Sequence, residues 1–233
     1  METMKKSTGD IEAGVGDNVH LRWAFIRKVY VILALQVLLT VAVATVVVLV
    51  AAIPKFIVTT TPGLLVFIVT LIAPFVVLFP LHRYSKHHPV NLVLLTLFTV
   101  LIAFAVGLSC SFSPGKVVLL TGILTSVVVV TLTLYTFWAA ARGHDFSFLG
   151  PFLMVSLLVV IVFSLIQIFI PFGRLGSTIF GLLITIVFSG FIIYDTDNLI
   201  KRYKYEDYIW ASVTLYLDIA NLFLGMLGLS RWQ

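Results

Sequence analysis

Long apolar runs separated by short polar stretches dominate this chain. Seven of the runs approach or exceed the ~20 residues that a helix needs to cross a bilayer. They cover 29–53, 62–81, 90–110, 117–141, 148–170, 177–194 and 208–229. Between them lie the polar stretches HRYSKHHP, SFSPGK, RGHDFS and PFGRLG, and the long basic turn TDNLIKRYKYED. Pro74, inside the second run, predicts a kink. Gln36 and Thr40 stand one turn apart on the first run and predict interhelical hydrogen bonding. Asp218 lowers the hydropathy of the seventh run, for which a re-entrant segment is the alternative. Residues 1–28 are polar and carry Gly9, Gly14 and Gly16, so they read as a flexible cytoplasmic tail. The run that follows exceeds the ~7–15 apolar residues of a signal-peptide core, so no cleaved leader is expected.

Composition fixes the class. The chain of 233 residues is 61% hydrophobic and 11% charged, where a soluble domain carries about 25% charged residues. The excess apolar surface must face lipid. The expected fold class is therefore an all-α integral membrane protein, with residues 29–233 forming one domain of seven transmembrane helices. The net charge of +5 does not mark a nucleic-acid surface, because the basic residues lie between the runs. With the N-terminus in the cytoplasm, the inner side holds Lys5, Lys6, Arg22, Arg27, Lys28, Arg83, Lys86, Arg142, Lys201, Arg202 and Lys204. The outer side holds Lys55, Lys116, Arg174 and Arg231. That asymmetry follows the positive-inside rule. Cys110 stands alone, which excludes an internal disulfide and a cysteine-rich metal site. No Asn-x-Ser/Thr sequon is present to mark a glycosylated face.

The candidate chemistry sits in the last hairpin, from Tyr194 to Asn221. Asp195 closes the sixth run and Asp218 lies well inside the seventh. A carboxylate at membrane depth is costly, about 2.5–3.5 kcal/mol on insertion scales, so its default reading is functional. Both aspartates are equidistant from the centre of the turn, and an antiparallel hairpin brings such positions together. One mismatch stands against this. Asp195 lies near the inner surface, whereas Asp218 lies ten residues into the seventh run, about 15 Å. The pair meets only if the sixth helix continues toward Lys201 or if the site opens to cytoplasmic water. Carboxylates that meet titrate as a unit and share a proton. When ionised they offer hard oxygen ligands to Ca²⁺, too few for tight binding, so a transient site is expected. Arg83 ends the second run on the same inner side, where a guanidinium could latch both carboxylates. Asn198 and Asn221 follow each aspartate by one turn and could line the site. Asp197 points away from Asp195 on a helix and is expected in solvent.

Four stretches carry a resemblance: FIRKVYVILALQVLLT, ARGHDFSFLGPFL, FSGFIIYDTDNLI and LYLDIANLFLGMLGL. In these the chain resembles the Bax-inhibitor-motif superfamily, above all its Lifeguard branch and the short plant-type members. The resemblance implies seven helices with the last one central and surrounded by the other six. It also implies a pH-sensitive Ca²⁺ leak through the endoplasmic reticulum or another endomembrane, and suppression of stress-induced cell death. It places the family's aspartate pair on Asp195 and Asp218 and its arginine latch on Arg83.

Other classes fit less well. An intramembrane aspartyl protease needs Gly-x-Gly before its second aspartate, and here Leu215, Tyr216 and Leu217 precede Asp218. A retinal protein needs a lysine within the seventh run, and none lies between Tyr208 and Leu229. A seven-helix receptor would place its N-terminus outside, against the charge asymmetry. His82, His87 and His88 could hold zinc, but no acid lies near them in sequence. The expectation is therefore no enzyme and no cofactor, with Ca²⁺ as permeant or bound ion. The partners expected are the bilayer, Ca²⁺ and protons. The main alternative is a non-transporting scaffold that binds cell-death or immune regulators.

Overall fold

The computed structural model describes residues 2–170 and 173–230, with side chains from residue 20 onward except 168. Eight α-helices follow one another: α1 (Glu2–Leu49), α2 (Ala52–Thr59), α3 (Thr61–Arg83), α4 (Val90–Ser111), α5 (Gly115–Ala141), α6 (Leu149–Phe169), α7 (Gly173–Lys201) and α8 (Tyr208–Ser230). Among the described residues there is no strand. Seven of the helices are long and apolar enough to cross a membrane, α2 being too short. The protein is a multi-pass membrane protein. Its seventh span is an unbroken helix of 23 residues, about 35 Å long. That length removes the need for re-entry.

The first run differs from expectation at both ends. Its helix ends at Leu49, and Ala52–Thr59 form the separate α2 that leads into α3. At the other end, position 28 is no boundary, because α1 is already helical before it. Phe25, Ile26, Val29 and Leu33 recur on one face of a 3.6-residue helix. All four are buried in a core shared with Leu81, Phe98, Leu199 and Tyr216. Residues 20–28 thus belong to the folded domain. Thr60 starts α3 by accepting a hydrogen bond from the Gly63 amide, with proline in the first turn. The helix then continues through Pro74 and Pro80 to Arg83.

The polar residues of α1 do bind across helices. Gln36 donates to Thr99 Oγ1 of α4 at 3.0 Å, and Thr40 Oγ1 lies 2.7 Å from the Tyr216 hydroxyl of α8. Helix α8 is the most buried of the seven spans. Its main neighbours are α1, α4, α5 and α7, while α3 rests chiefly on α4 and α6 on α7. Helix α3 also reaches α8, through His82 edge-on against Trp210. Helices α3 and α6 present broad apolar faces outward, including Phe75 and Phe79 on α3 and Phe152 and Leu158 on α6. Such faces are stable only against lipid.

Helices α7 and α8 make the most intimate contact. A Cβ on Gly181 would lie 3.0 Å from the Gly225 carbonyl oxygen, and one on Gly225 would lie 2.7 Å from Ile184 Cγ2. Lipid gives helices no hydrophobic drive to associate, so close backbone approach through small residues supplies the packing.

Candidate functional site

The α7–α8 hairpin carries the site, and the length of α7 decides its geometry. The helix continues past Tyr194 to Lys201, so Asp195 sits six residues inside its inner end. That extension removes the depth mismatch. Asp195 and Asp218 face each other at hydrogen-bonding reach, 8% and 4% exposed. The amide of Asn198, one turn further on, donates to Asp195 Oδ1 over 3.5 Å. Thr214, one turn before Asp218 on α8, places its hydroxyl beside Asp195. Asp218 Oδ2 is buried and receives no hydrogen bond.

Tyr203 closes the inner side of the pair. Its ring lies in reach of Thr214 and of both carboxylates. Burial first, then the charge of Asp195, push its phenol up to about 12, so it stays neutral and can donate. Arg22 of α1 donates to the Tyr203 carbonyl at 2.5 Å. On its other side Tyr203 lines a cavity of about 300 Å³ together with Leu21, Arg22, Phe25, Lys204 and Tyr205. The turn is pinned again by Lys28, whose ammonium lies 3.3 Å from the Tyr208 ring centroid, and by Lys86, 3.0 Å from Glu206. These contacts gather basic residues of α1, the α3–α4 connection and the hairpin at one end of the bundle.

Arg83 is not where a latch would need it. It is exposed at the end of α3 and, among the described residues, makes no ion pair with either aspartate. Helix α3 rests chiefly on α4 and meets α8 through His82, edge-on against Trp210, while the Arg83 side chain stays exposed. The guanidinium linked to the pair is that of Arg202, whose Nη1 donates to Asn198 Oδ1 at 2.8 Å. Asn221 is half-buried and donates to the Leu217 carbonyl of its own helix, so its amide is occupied away from the pair.

Asp197, expected in solvent, is instead fully buried. It does point away from Asp195, but the α5–α6 connection covers that face. Asp197 Oδ2 accepts from the Phe146 amide at 3.3 Å, and Oδ1 pairs with Lys201 at 2.5 Å. Asp145 closes the group against Arg202 at 3.1 Å. The Ser147 amide and hydroxyl hold the Asp145 carboxyl below the usual carboxylate range.

Asp195, Asp218 and Thr214 form a set of hard oxygen donors that suits a loosely held Ca²⁺ with water in the remaining positions. Among the described residues, no group of three or more His, Cys, Asp or Glu side chains gathers as a metal centre. His82 packs edge-on against Trp210 and His87 against Tyr84. Sequence reasoning missed Thr214, Tyr203, Arg202 and Asp145. Thr214 had a signal, a hydroxyl one turn from an intramembrane acid.

The family model described as inhibitor of apoptosis-promoting Bax1 matches residues 22–230. Protein LIFEGUARD 4 of Arabidopsis thaliana is 58% identical over 215 residues, 92% of this chain and 87% of its own length. The BI1-like protein of the same plant is 49% identical over 244 residues, 99% of this chain and 94% of its own. The Golgi anti-apoptotic protein of Vaccinia virus (strain Lister) is 38% identical over 214 residues, 91% of this chain and 86% of its own.

Proposed function

The chain belongs to the family of inhibitors of apoptosis-promoting Bax1, and from that premise we propose that it suppresses stress-induced cell death by leaking Ca²⁺ across an endomembrane under the control of pH. The relative named for the Golgi supports an endomembrane site and an anti-apoptotic role, and we place this protein in the endoplasmic reticulum or a neighbouring compartment. Its N-terminus and basic hairpin turn then face the cytoplasm, following the distribution of lysine and arginine.

The observation that carries the reading is the buried contact of Asp195 with Asp218. Nothing in packing requires two acids here, and an apolar pair would fill the same space at less cost. With one proton between them, the carboxyls bond to each other and hold α7 against α8. Losing that proton leaves two charges that repel or take up a cation, and adding a second breaks the sharing. Leak is therefore lowest where one proton is shared. Ca²⁺ is cargo in this scheme, met transiently by the carboxylate oxygens and by water, and no bond in it is made or broken. Flux through liposomes containing the purified protein, measured with a Ca²⁺ dye across pH, tests it. Asp218→Asn keeps a hydrogen bond to Asp195 at every pH, so its flux should lose most of the pH dependence. Absence of flux from the wild-type protein would sink the leak. The chain would then be a scaffold that binds cell-death regulators through its basic inner face.

A further inference from the structure

The cavity between the start of α1 and the hairpin turn has no part in the scheme above. It holds about 300 Å³, at the small end of ligand pockets, and is lined by Leu21, Arg22, Phe25, Tyr203, Lys204 and Tyr205. The lining carries two cations and, among the described residues, no carboxylate. The acids of the turn are engaged elsewhere. Glu206 lies 3.0 Å from the Lys86 ammonium. Asp207 lies 3.9 Å from the same ammonium through Oδ1, while its Oδ2 accepts from the Lys204 amide at 3.1 Å. Among the described residues, neither Arg22 nor Lys204 makes an ion pair.

Arg22 is set in place before any ligand arrives. Its Nη1 donates to the Tyr203 carbonyl, and this is its one hydrogen bond among the described residues. A guanidinium carries five N–H donors in a rigid fork that matches phosphate oxygens, so an arm fixed on one side aims the rest. The wall beside it is also held. The Tyr205 ring lies 6.3 Å from that of buried Phe25 and 5.4 Å from the Lys28 ammonium, which sits in turn over Tyr208. Lys204 is exposed at the rim.

Depth points to the ligand. The part of α1 from Val29 to Leu49 measures about 31 Å, which matches a hydrocarbon core of about 30 Å. Phe25 and Arg22 then stand roughly 6 and 10 Å beyond its edge, at the level of the headgroups. Trp23, exposed and stacked on Phe137 at 6.1 Å, marks the same level, where amphipathic rings collect. From there the exposed Val31, Leu35 and Leu38 run toward the hydrocarbon, within about 100° of Leu21 around the helix. We propose that this cavity binds the phosphate monoester headgroup of an anionic lipid, with the Arg22 fork and the Lys204 ammonium on the phosphate oxygens and the acyl chains along α1. A phosphate monoester carries about −1.5 to −2 charges at neutral pH, which two cations match, whereas a diester carries one. Basic pockets at the ends of membrane helices recognise headgroups in this way. Neither aspartate of the hairpin takes part, so the inference stands apart from the leak.

Native mass spectrometry of the full-length protein in detergent tests this, with the bound fraction followed as dioleoyl phosphatidic acid, phosphatidylserine or phosphatidylcholine is added. Phosphatidic acid should be retained about tenfold more tightly than phosphatidylcholine, and more tightly than phosphatidylserine, whose phosphate is a diester. Lys204→Gln should weaken that binding about fivefold. Arg22→Lys keeps the charge and a donor for the Tyr203 carbonyl but loses the fork, and should weaken it as well. Arg83→Gln removes an equal charge from an exposed position at the same end of the bundle and should leave the affinity within twofold. Lys204 is exposed, so its variant decides the matter even where Arg22→Lys fails to fold. Equal losses for Arg83→Gln and Lys204→Gln would reduce the effect to diffuse attraction and overturn the inference. Equal retention of phosphatidylserine and phosphatidic acid would overturn the choice of a monoester. Glycerol 3-phosphate is the same headgroup without chains. Displacement of the lipid by an equal concentration of it would assign the cavity to a soluble phosphate ester and overturn the lipid.

Discussion

Replacing Asp197 with alanine tests how the inner end of α7 is held. Asp197 is fully buried, accepts the Phe146 amide and pairs with Lys201. The substitution orphans a backbone amide and leaves Lys201 with Asp145, 3.9 Å away, as its remaining carboxylate. A hydrogen bond to a charged group contributes about 1.5–3 kcal/mol. The ion pair adds little, because the Lys201 side chain is 28% exposed and screened by water. Together they predict that local opening of the loop becomes easier by about 2 kcal/mol, with the bundle intact. Opening free energy sets amide exchange when closing is fast, so this equals about a thirtyfold acceleration. Hydrogen exchange read by mass spectrometry on peptides covering 142–148 measures it, with peptides from α4 as internal reference. Asp197→Asn keeps an acceptor for the amide and should give a smaller acceleration. Equal exchange in Asp197→Ala and wild type would refute the reasoning, since a solvated aspartate predicts no change at all. Acceleration spread over α4 would also refute it, by showing global rather than local loss.

Gly225→Ala should destabilise the bundle by about 1–3 kcal/mol. The added methyl would meet Ile184 Cγ2 at 2.7 Å and Ile184 Cβ at 3.1 Å, and a β-branched side chain has no free rotamer in which to retreat. Thermal unfolding in detergent that matches wild type would show that the helices shift at no cost. Acid should act on the loop in a defined window. The Asp145 carboxyl is held below its ordinary value, so its contribution is complete above about pH 3.9 and is lost as pH falls through the lowered folded value. Exchange of the 142–147 amides should therefore stay slow down to the ordinary carboxylate range and rise only beneath it. A rise centred near neutrality would assign the loop's release to another group.

The sequence makes the spans legible because lipid enforces them. A chain that cannot expose backbone to hydrocarbon must declare each crossing as an apolar helix, and the seven predicted runs correspond to seven helices. Where competing signals overlapped, the boundaries moved. Polar residues before Val29 masked the face of Phe25 and Ile26, and Asp195 disguised the continuation of α7 because an acid looks like a helix end. The aspartate pair itself was readable, since two acids in apolar runs cost too much to be incidental. Its surroundings were not. Arg83 stood at a plausible depth, but its helix packs chiefly on α4 and its side chain stays exposed, and depth says nothing about which way a side chain turns. Asp197 looked solvated because a helix face was counted without the loop that covers it. Arg202 sits in a run of basic residues where no spacing singles it out from Lys201 or Lys204.

Helix α7 spans 29 residues, about 43 Å at 1.5 Å per residue, where the hydrocarbon core is about 30 Å thick. An overhang of that order at the inner end would bring Asp195, some 9 Å from Lys201, close to the cytoplasmic boundary. The consequence is electrical. In the proposed orientation, nearly all of the transmembrane voltage would drop on the far side of the pair, and a proton arriving from the cytoplasm would cross little of the field. Under the proposed leak, a cation leaving the opposite compartment would cross almost all of it before it met a carboxylate. If the proposed leak operates, membrane voltage would drive the ion that flows and leave a regulating proton unmoved.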